Sequence, residues 1–235
     1  MAKKGHTTYM TKLERGLGGA LFLLYLLVLP FVTTPLFRGL EQLLGFDLTA
    51  HTENVIYYYV LFALTLVIFW IYIGRTTGYF MSSTLPTLGT IALGLVGFYG
   101  LNELSYRVLE LLWDGHVNLN DVAISAQVND APRSTFLIVV FLAPFVEEVL
   151  FRGYVFGNLR EKNRTAAYIV SCALFAFLHV WQFAVVEQSL SYFLQMLQYL
   201  APGLVFAWCY EKSGTLWGAI IPHAFVNALA VWQIM

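Results

Sequence analysis

The chain has 235 residues, of which 59% are hydrophobic and only 11% are charged, and its mean hydropathy is +0.68. Because a water-exposed surface needs a higher density of charge, this composition excludes an ordinary soluble domain and predicts a membrane protein. The formal net charge is −1 and no basic block follows the short N-terminal stretch, so nucleic acid is not an expected partner.

Apolar stretches of about 20 residues recur along the chain, and each is long enough to cross a membrane as a helix. They predict an all-α fold, a polytopic transmembrane helix bundle of seven spans, with eight spans as the alternative. We expect a single integral-membrane domain over residues 1–235. The spans are predicted near residues 17–37, 54–73, 85–113, 134–158, 165–183, 189–210 and 215–234.

The longest connection, DGHVNLNDVAISAQVNDAPR, follows the third span and is polar and mixed. Its composition predicts a surface loop or a short interfacial segment. The two cysteines, Cys172 and Cys209, fall in different apolar stretches. That placement favours packing in the core over a disulfide.

The distribution of Lys and Arg predicts a cytoplasmic N-terminus. The basic N-terminal stretch precedes a long apolar run that lacks a signal-peptide cleavage site, so we expect this run to be a retained first span. We expect the basic stretch to contact anionic lipid headgroups. With this orientation nine basic residues face the cytoplasm and two, Arg38 and Arg133, face outside. We therefore expect a multi-pass protein of the cell membrane. The nine are Lys3, Lys4, Lys12, Arg15, Arg75, Arg160, Lys162, Arg164 and Lys212.

Ionisable side chains inside the spans are costly, so each needs a partner or a hydrated cavity. In the third span Glu103 and Arg107 are four residues apart and Glu110 follows, which predicts an ion-paired cluster near the membrane surface. In the fourth span, APFVEEVLFRG, Glu148 and Arg152 have the same spacing and can pair.

Glu147 is rotated by about 100° from Glu148 on the helix, so its carboxylate is left without that partner. A carboxylate of this kind can serve as a general base, or it can pair with a distant group. Pro144, just before it, can free a backbone carbonyl or bend the helix.

Three further polar side chains lie in the fifth and seventh spans. His179 closes the run LFAFLH; alone, it would also suit a hydrogen-bonded core histidine. His223 and Asn227 in HAFVN are four apart and share one helix face. From the helical rise, we expect these three side chains and Glu147 to meet at one depth.

A carboxylate, two imidazoles and an amide suit the activation of water for attack on a carbonyl, with two donors for the oxyanion. Other membrane protease types fit poorly: the chain has no His-Glu-x-x-His pair, no serine in a glycine-framed context, and its four aspartates fall in predicted loops.

The motifs EEVLFR, FAFLH and HAFVN resemble, in order, those of the CAAX protease and bacteriocin-processing family, which includes type II CAAX prenyl endopeptidases. The resemblance covers residues 144 to 227. It implies an α-helical intramembrane endopeptidase in which Glu147 and His179 activate water. His223 and Asn227 would stabilise the oxyanion, while Glu148 and Arg152 would maintain the electrostatics of the cavity.

Two alternatives remain open. Glu147, His179 and His223 could be three zinc ligands of a metalloprotease, although we favour a metal-free site with no cofactor. In a different class, the chain could be a non-catalytic bacteriocin-immunity or scaffold protein of the same fold. As partners we expect membrane lipids and a hydrophobic or prenylated peptide or protein substrate, cleaved near the membrane. Because the chain has no appended domain, the resemblance implies a prokaryotic member of the family, in the plasma membrane.

Overall fold

The computed structural model describes residues 10–235. Lys3 and Lys4, and with them the predicted contact of the basic N-terminal stretch with headgroups, lie outside the described residues. Within residues 10–235 the chain forms nine helices and no strand. These are α1 (Lys12–Leu44), α2 (Ala50–Ile68), α3 (Trp70–Ser82), α4 (Thr84–Leu112), α5 (Leu119–Asp130), α6 (Pro132–Arg160), α7 (Arg164–Val186), α8 (Leu190–Ser213) and α9 (Trp217–Ile234).

Seven of these helices, all except α3 and α5, are long and apolar enough to cross a membrane. The predicted all-α fold and seven spans are therefore confirmed, while the side on which the N-terminus lies stays a prediction. The first span is longer than predicted, and the second ends earlier. It ends because Phe69 leaves helical geometry, with φ −103° and ψ 21°, and a separate short helix, α3, follows.

Short polar residues and glycines set several helix ends. Thr11 and Glu14 form a capping box at the start of α1, and Asn163 caps α7 by accepting from the backbone N–H of Ala166. Gly45 and Gly214, with φ of 76° and 72°, end α1 and α8 in the left-handed conformation that glycine adopts without strain. Each cap satisfies backbone groups that a helix end leaves without partners.

Helix α6 lies at the centre of the bundle. In its most apolar window 72% of the residues are buried, against 11% to 39% in the other six spans. It packs against α1, α2, α7, α8 and α9. The motif APFVEEVLFRG is therefore surrounded by protein, which is the condition under which charged groups persist at membrane depth.

Helices α7 and α8 approach each other closely at Gly203. A Cβ on Gly203 would lie only 3.3 Å from the Cα of Cys172, so a larger residue would push the helices apart. Cys172 and Cys209 are both free and buried, which confirms that they pack in the core. The close approach also brings the carbonyl of Gly203 within reach of α6.

Helix α3 covers one end of the bundle, at the turn between α8 and α9. The hydroxyls of Tyr72 and Tyr210 are 3.0 Å apart, and the Thr76 hydroxyl accepts from the backbone N–H of Leu216 at 2.7 Å. The buried carboxylate of Glu14 accepts from the backbone N–H of Tyr72 at 2.7 Å. These bonds tie α1, α3 and the α8–α9 turn together.

The predicted surface or interfacial segment after the third span contains helix α5, which packs against α7 and α9. The ion pair expected in the third span is present, with Arg107 Nε 2.7 Å from Glu103 Oε1 and both side chains exposed. Glu110 does not join that pair and lies 3.1 Å from Nδ1 of His116 instead. The turn after α4 brings this histidine back toward the helix.

Candidate active site

The ion pair at the centre of α6 is fully buried. Arg152 Nη1 donates to Glu148 Oε1 at 2.9 Å, and both side chains are 0% exposed. Arg152 Nη2 donates to the carbonyl of Gly203 at 3.1 Å, and the guanidinium carbon lies 4.2 Å from the centre of the Phe175 ring. The charge of Glu148 is therefore compensated from its own helix and fixed in place by α7 and α8.

Glu148 also orients His223 of α9. His223 Nδ1 lies 2.8 Å from Glu148 Oε1, and because an ionised carboxylate only accepts, Nδ1 carries the proton. The opposite ring nitrogen, Nε2, is then directed toward Glu147, 3.9 Å from its Oε2. Stacking on Phe206, with ring centres 4.7 Å apart, holds the imidazole plane.

His179 of α7 is oriented in a similar way. Its Nδ1 lies 2.8 Å from the backbone carbonyl of Phe175, which can only accept, so Nδ1 again carries the proton. Its Nε2 lies 3.7 Å from Glu147 Oε2. The rings of Phe175 and Tyr199 both pack on the imidazole, with ring centres 4.6 and 4.5 Å from it.

Glu147 stands apart from the buried ion pair, as its position on the helix predicts. Its Oε2 faces the Nε2 atoms of His179 and His223, and its Oε1 lies 3.5 Å from the Tyr25 hydroxyl. When both rings are neutral and protonated at Nδ1, the three facing atoms are all acceptors. Three acceptors that face one another need either a proton on one of them or a molecule between them that donates hydrogen bonds.

Glu147, His179 and His223 are also the three candidate zinc ligands. Within residues 10–235 no group of three His, Cys, Asp or Glu side chains is arranged to hold a metal ion. Bonds of about 2.0–2.1 Å in a tetrahedral zinc site place ligand atoms roughly 3.3 Å apart. The separations of 3.7 and 3.9 Å from Glu147 to the two rings exceed this, so the side chains as they stand do not fit zinc.

Asn227 is held by α6. Its Nδ2 donates at 2.8 Å to the carbonyl of Val139, and within the described chain no hydrogen bond joins it to Glu147. Val139 lies in a π-helical stretch, where a backbone N–H bonds to the carbonyl five residues earlier, as that of Ala143 does to Ile138. In this register the residue that would bond to the Val139 carbonyl is Pro144. Proline has no N–H, and this frees the Val139 carbonyl for Asn227. The second amide hydrogen of Asn227 is not used in this bond.

Three π-helical stretches contribute to the site: Leu24–Val28 in α1, and Ile138–Leu142 and Val149–Phe156 in α6. They carry Tyr25, Val139 and Arg152, respectively. π-Helical turns are rare and are frequently found at functional sites, because they shift side chains and carbonyls out of the regular register. Sequence reasoning missed Tyr25, although its hydroxyl interrupts the apolar run LFLLYLLVLPF and was the available signal.

A cavity of about 440 Å³ lies elsewhere, between α4 and α8. Its lining is mostly apolar and includes Leu93, Gly97 and Trp208, with Arg164 and Tyr168 of α7 also in contact. The side chains around Glu147 do not line this cavity.

Comparisons with known proteins agree with the three motifs. Residues 130–229 match the family model described as "Type II CAAX prenyl endopeptidase Rce1-like". The chain is 32% identical over 90 residues to "UPF0177 protein YxdF" of Lactococcus lactis subsp. lactis (strain IL1403), covering 38% of this chain and 44% of that protein. It is 28% identical over 118 residues to "Putative membrane peptidase YdiL" of Bacillus subtilis (strain 168), covering 50% of this chain and 43% of that protein.

The chain thus spans less than half the length of either curated relative. No solved structure shows a significant match. The matched region nevertheless contains all six polar residues of the three motifs and the carbonyl of Val139. The predicted resemblance is confirmed: residues 130–229 of this chain match the model of the Rce1-like family of type II CAAX prenyl endopeptidases.

Proposed function

We propose that this protein is an intramembrane endopeptidase that hydrolyses a peptide bond with water activated by Glu147 and His179. The observation that carries the proposal is the position of Glu147 Oε2, which faces the Nε2 atoms of both histidines while Glu148 is already paired with Arg152. The match to the Rce1-like family, and a relative whose name describes a membrane peptidase, support the same chemistry.

In this mechanism a water molecule lies between Glu147 and His179 and hydrogen-bonds to both acceptors. Glu147 Oε2 lies 3.7 Å from Nε2 of His179 and 3.9 Å from Nε2 of His223, too far for direct hydrogen bonds. The Glu147 carboxylate is therefore free to act on such a water. Glu147 takes a proton from the water as its oxygen attacks the carbonyl carbon of the peptide. The proton then passes to the leaving nitrogen as the C–N bond breaks, which yields a carboxylic acid and an amine. The acid proton then moves to the amine, so the products at neutral pH are a carboxylate and an ammonium group.

The negative charge that develops on the carbonyl oxygen needs donors. His223 can donate from Nε2 when its ring is protonated, and the Glu148 carboxylate at Nδ1 stabilises that charged ring. The unused amide hydrogen of Asn227 can supply a second donor. Val139 fixes the orientation of this amide, so little reorganisation is needed during the reaction.

The position of the site in a bundle of apolar spans favours a substrate whose cleaved bond lies near the membrane. A hydrophobic segment or an attached lipid, such as a prenyl group, would bring such a peptide to the bundle. We therefore propose a lipidated or hydrophobic peptide or protein as the substrate, and the cell membrane as the location.

The experiment compares membranes from cells that express the natural chain with membranes from cells that express Glu147→Gln. Peptide termini are mapped by mass spectrometry. We expect new termini close to predicted membrane segments only with the natural chain. Glu103→Gln, which alters an exposed carboxylate of α4, is the matched control and should resemble the natural chain. Identical termini in all three membranes would contradict the proposal and favour the non-catalytic alternative.

A further inference from the structure

The turn between α4 and α5 is bound to one face of α8. The side chains on this face are Tyr192, Gln195, Gln198 and Tyr199, here called the polar stripe, and they recur at the spacing of helix turns. The Tyr192 hydroxyl accepts from the backbone N–H of Leu119 at 2.7 Å, and Gln195 Nε2 donates to the carbonyl of Val117 at 3.3 Å. The turn is thus held by side chains of a transmembrane span.

Asn118 joins the polar stripe to helix α5. Its Oδ1 caps α5 by accepting from the backbone N–H groups of Asn120 and Asp121, at 3.1 and 3.4 Å. Its Nδ2 donates to Gln198 Oε1 at 2.8 Å, and the Tyr199 hydroxyl lies 3.0 Å from Nδ2 and 3.1 Å from Oδ1. One side chain therefore both begins α5 and binds two members of the polar stripe.

Tyr199 also contacts the proposed catalytic histidine. Its ring stacks on His179 with ring centres 4.5 Å apart and an angle of 22° between the planes. The bond from His179 Nδ1 to Phe175 fixes one edge of the imidazole but leaves its tilt free. The Phe175 ring contacts the imidazole at an angle of 46°, whereas Tyr199 lies nearly parallel to it. The stacked Tyr199 ring therefore limits the tilt, and with it the direction of Nε2 toward Glu147.

We infer that Tyr199 is a positioning residue for His179 and that Asn118, through Tyr199, couples the docking of α5 to the alignment of this imidazole. The inference rests on the proposed function, because it assigns to Tyr199 the task of keeping His179 aligned for water activation. Helix α5 packs against α7 and α9, the spans that carry His179 and His223. A displacement of α5 would therefore shift these histidines, and a small misplacement of reacting groups lowers the reaction rate strongly.

The first test measures cleavage of a fluorescent hydrophobic peptide by the purified full-length protein. Tyr199→Leu removes the stacked ring and should lower kcat roughly 10- to 100-fold with little change in KM. Tyr199→Phe keeps the ring but loses the bond to Asn118, and should lower kcat about 2- to 10-fold. Asn118→Gly removes both bonds to the Tyr199 hydroxyl, and glycine is tolerated at the N-cap position of α5. This variant should match Tyr199→Phe, and the two changes together should lower kcat no further.

The second test does not depend on activity. In the NMR spectrum of histidine-labelled protein, the ring-proton resonance of His179, assigned with His179→Gln, should move downfield in Tyr199→Leu and should also move in Asn118→Gly. Tyr99→Phe, which changes an exposed tyrosine of α4, should leave it in place.

The two tests separate the possible failures. A natural protein that cleaves no peptide, but whose His179 resonance responds as expected, would remove the proposed function and leave the coupling intact. An unchanged kcat in folded Tyr199→Leu, or a His179 resonance that stays in place in Asn118→Gly, would overturn the inference itself.

Discussion

Replacing Arg152 with Met should destabilise the protein strongly. Methionine keeps much of the packing against Phe175 and Phe206, but it leaves the carboxylate of Glu148, which is 0% exposed, without its compensating charge. Breaking a buried pair from one side costs about 3–5 kcal/mol. At about 2–4 °C per kcal/mol for a chain of this length, the melting temperature in detergent should fall on the order of 10 °C.

Two further variants test this explanation, a matched control and a double variant that should restore stability. Arg107→Met breaks an ion pair with the same i,i+4 spacing, but the side chains are 73% and 59% exposed, so the cost should stay below about 1 kcal/mol. Adding Glu148→Gln to Arg152→Met removes both buried charges and should recover more than half of the lost melting temperature. Equal melting temperatures for Arg152→Met and Arg107→Met, or a double variant no better than Arg152→Met alone, would refute the role assigned to the buried pair.

Three other predictions concern the catalytic carboxylate, metal dependence and orientation. Tyr25→Phe removes the hydroxyl 3.5 Å from that carboxylate and should lower kcat by at most about tenfold without changing the melting temperature; a larger loss would assign the phenol a direct role. Treatment of purified protein with a zinc chelator should leave the cleavage rate unchanged, whereas a loss that added zinc restores would establish the metalloprotease alternative. With a cytoplasmic N-terminus, Lys162 lies on the cytoplasmic side of α7 and Glu187 on the outer side. A membrane-impermeant maleimide should therefore label Glu187→Cys in intact cells and Lys162→Cys only after permeabilisation. The reverse labelling would show that the N-terminus lies outside.

The features that sequence alone could predict are those confined to one helix. Hydropathy locates the seven spans because a length of about 20 apolar residues is required wherever a helix crosses the membrane. Helical periodicity places Glu148 and Arg152 on one face and turns Glu147 away from them, and the structure has this arrangement. The position of Pro144 predicts a freed backbone carbonyl or a bend, and in the structure the carbonyl of Val139 is free to accept from Asn227.

The features that sequence could not predict join different helices. Tyr25 reaches Glu147 across 122 residues of chain, and Asn227 reaches Val139 across 88. Spacing along one helix does not determine which faces of two helices meet, nor where a helix changes to π-helical register. The stacking of Tyr199 on His179 was missed for the same reason, and so was the short helix α3, because a break at Phe69 leaves the hydropathy pattern nearly unchanged.

The measurement that bears most directly on the proposed catalytic role of Glu147 is the turnover of one defined hydrophobic peptide by purified Glu147→Gln protein. Glutamine preserves the size of the side chain but cannot take a proton from water, so kcat should fall by about 10²- to 10⁴-fold while the melting temperature stays close to that of the natural chain. Purified Glu103→Gln protein should keep full activity. Turnover by Glu147→Gln within tenfold of the natural rate would contradict the assignment of Glu147 as the base.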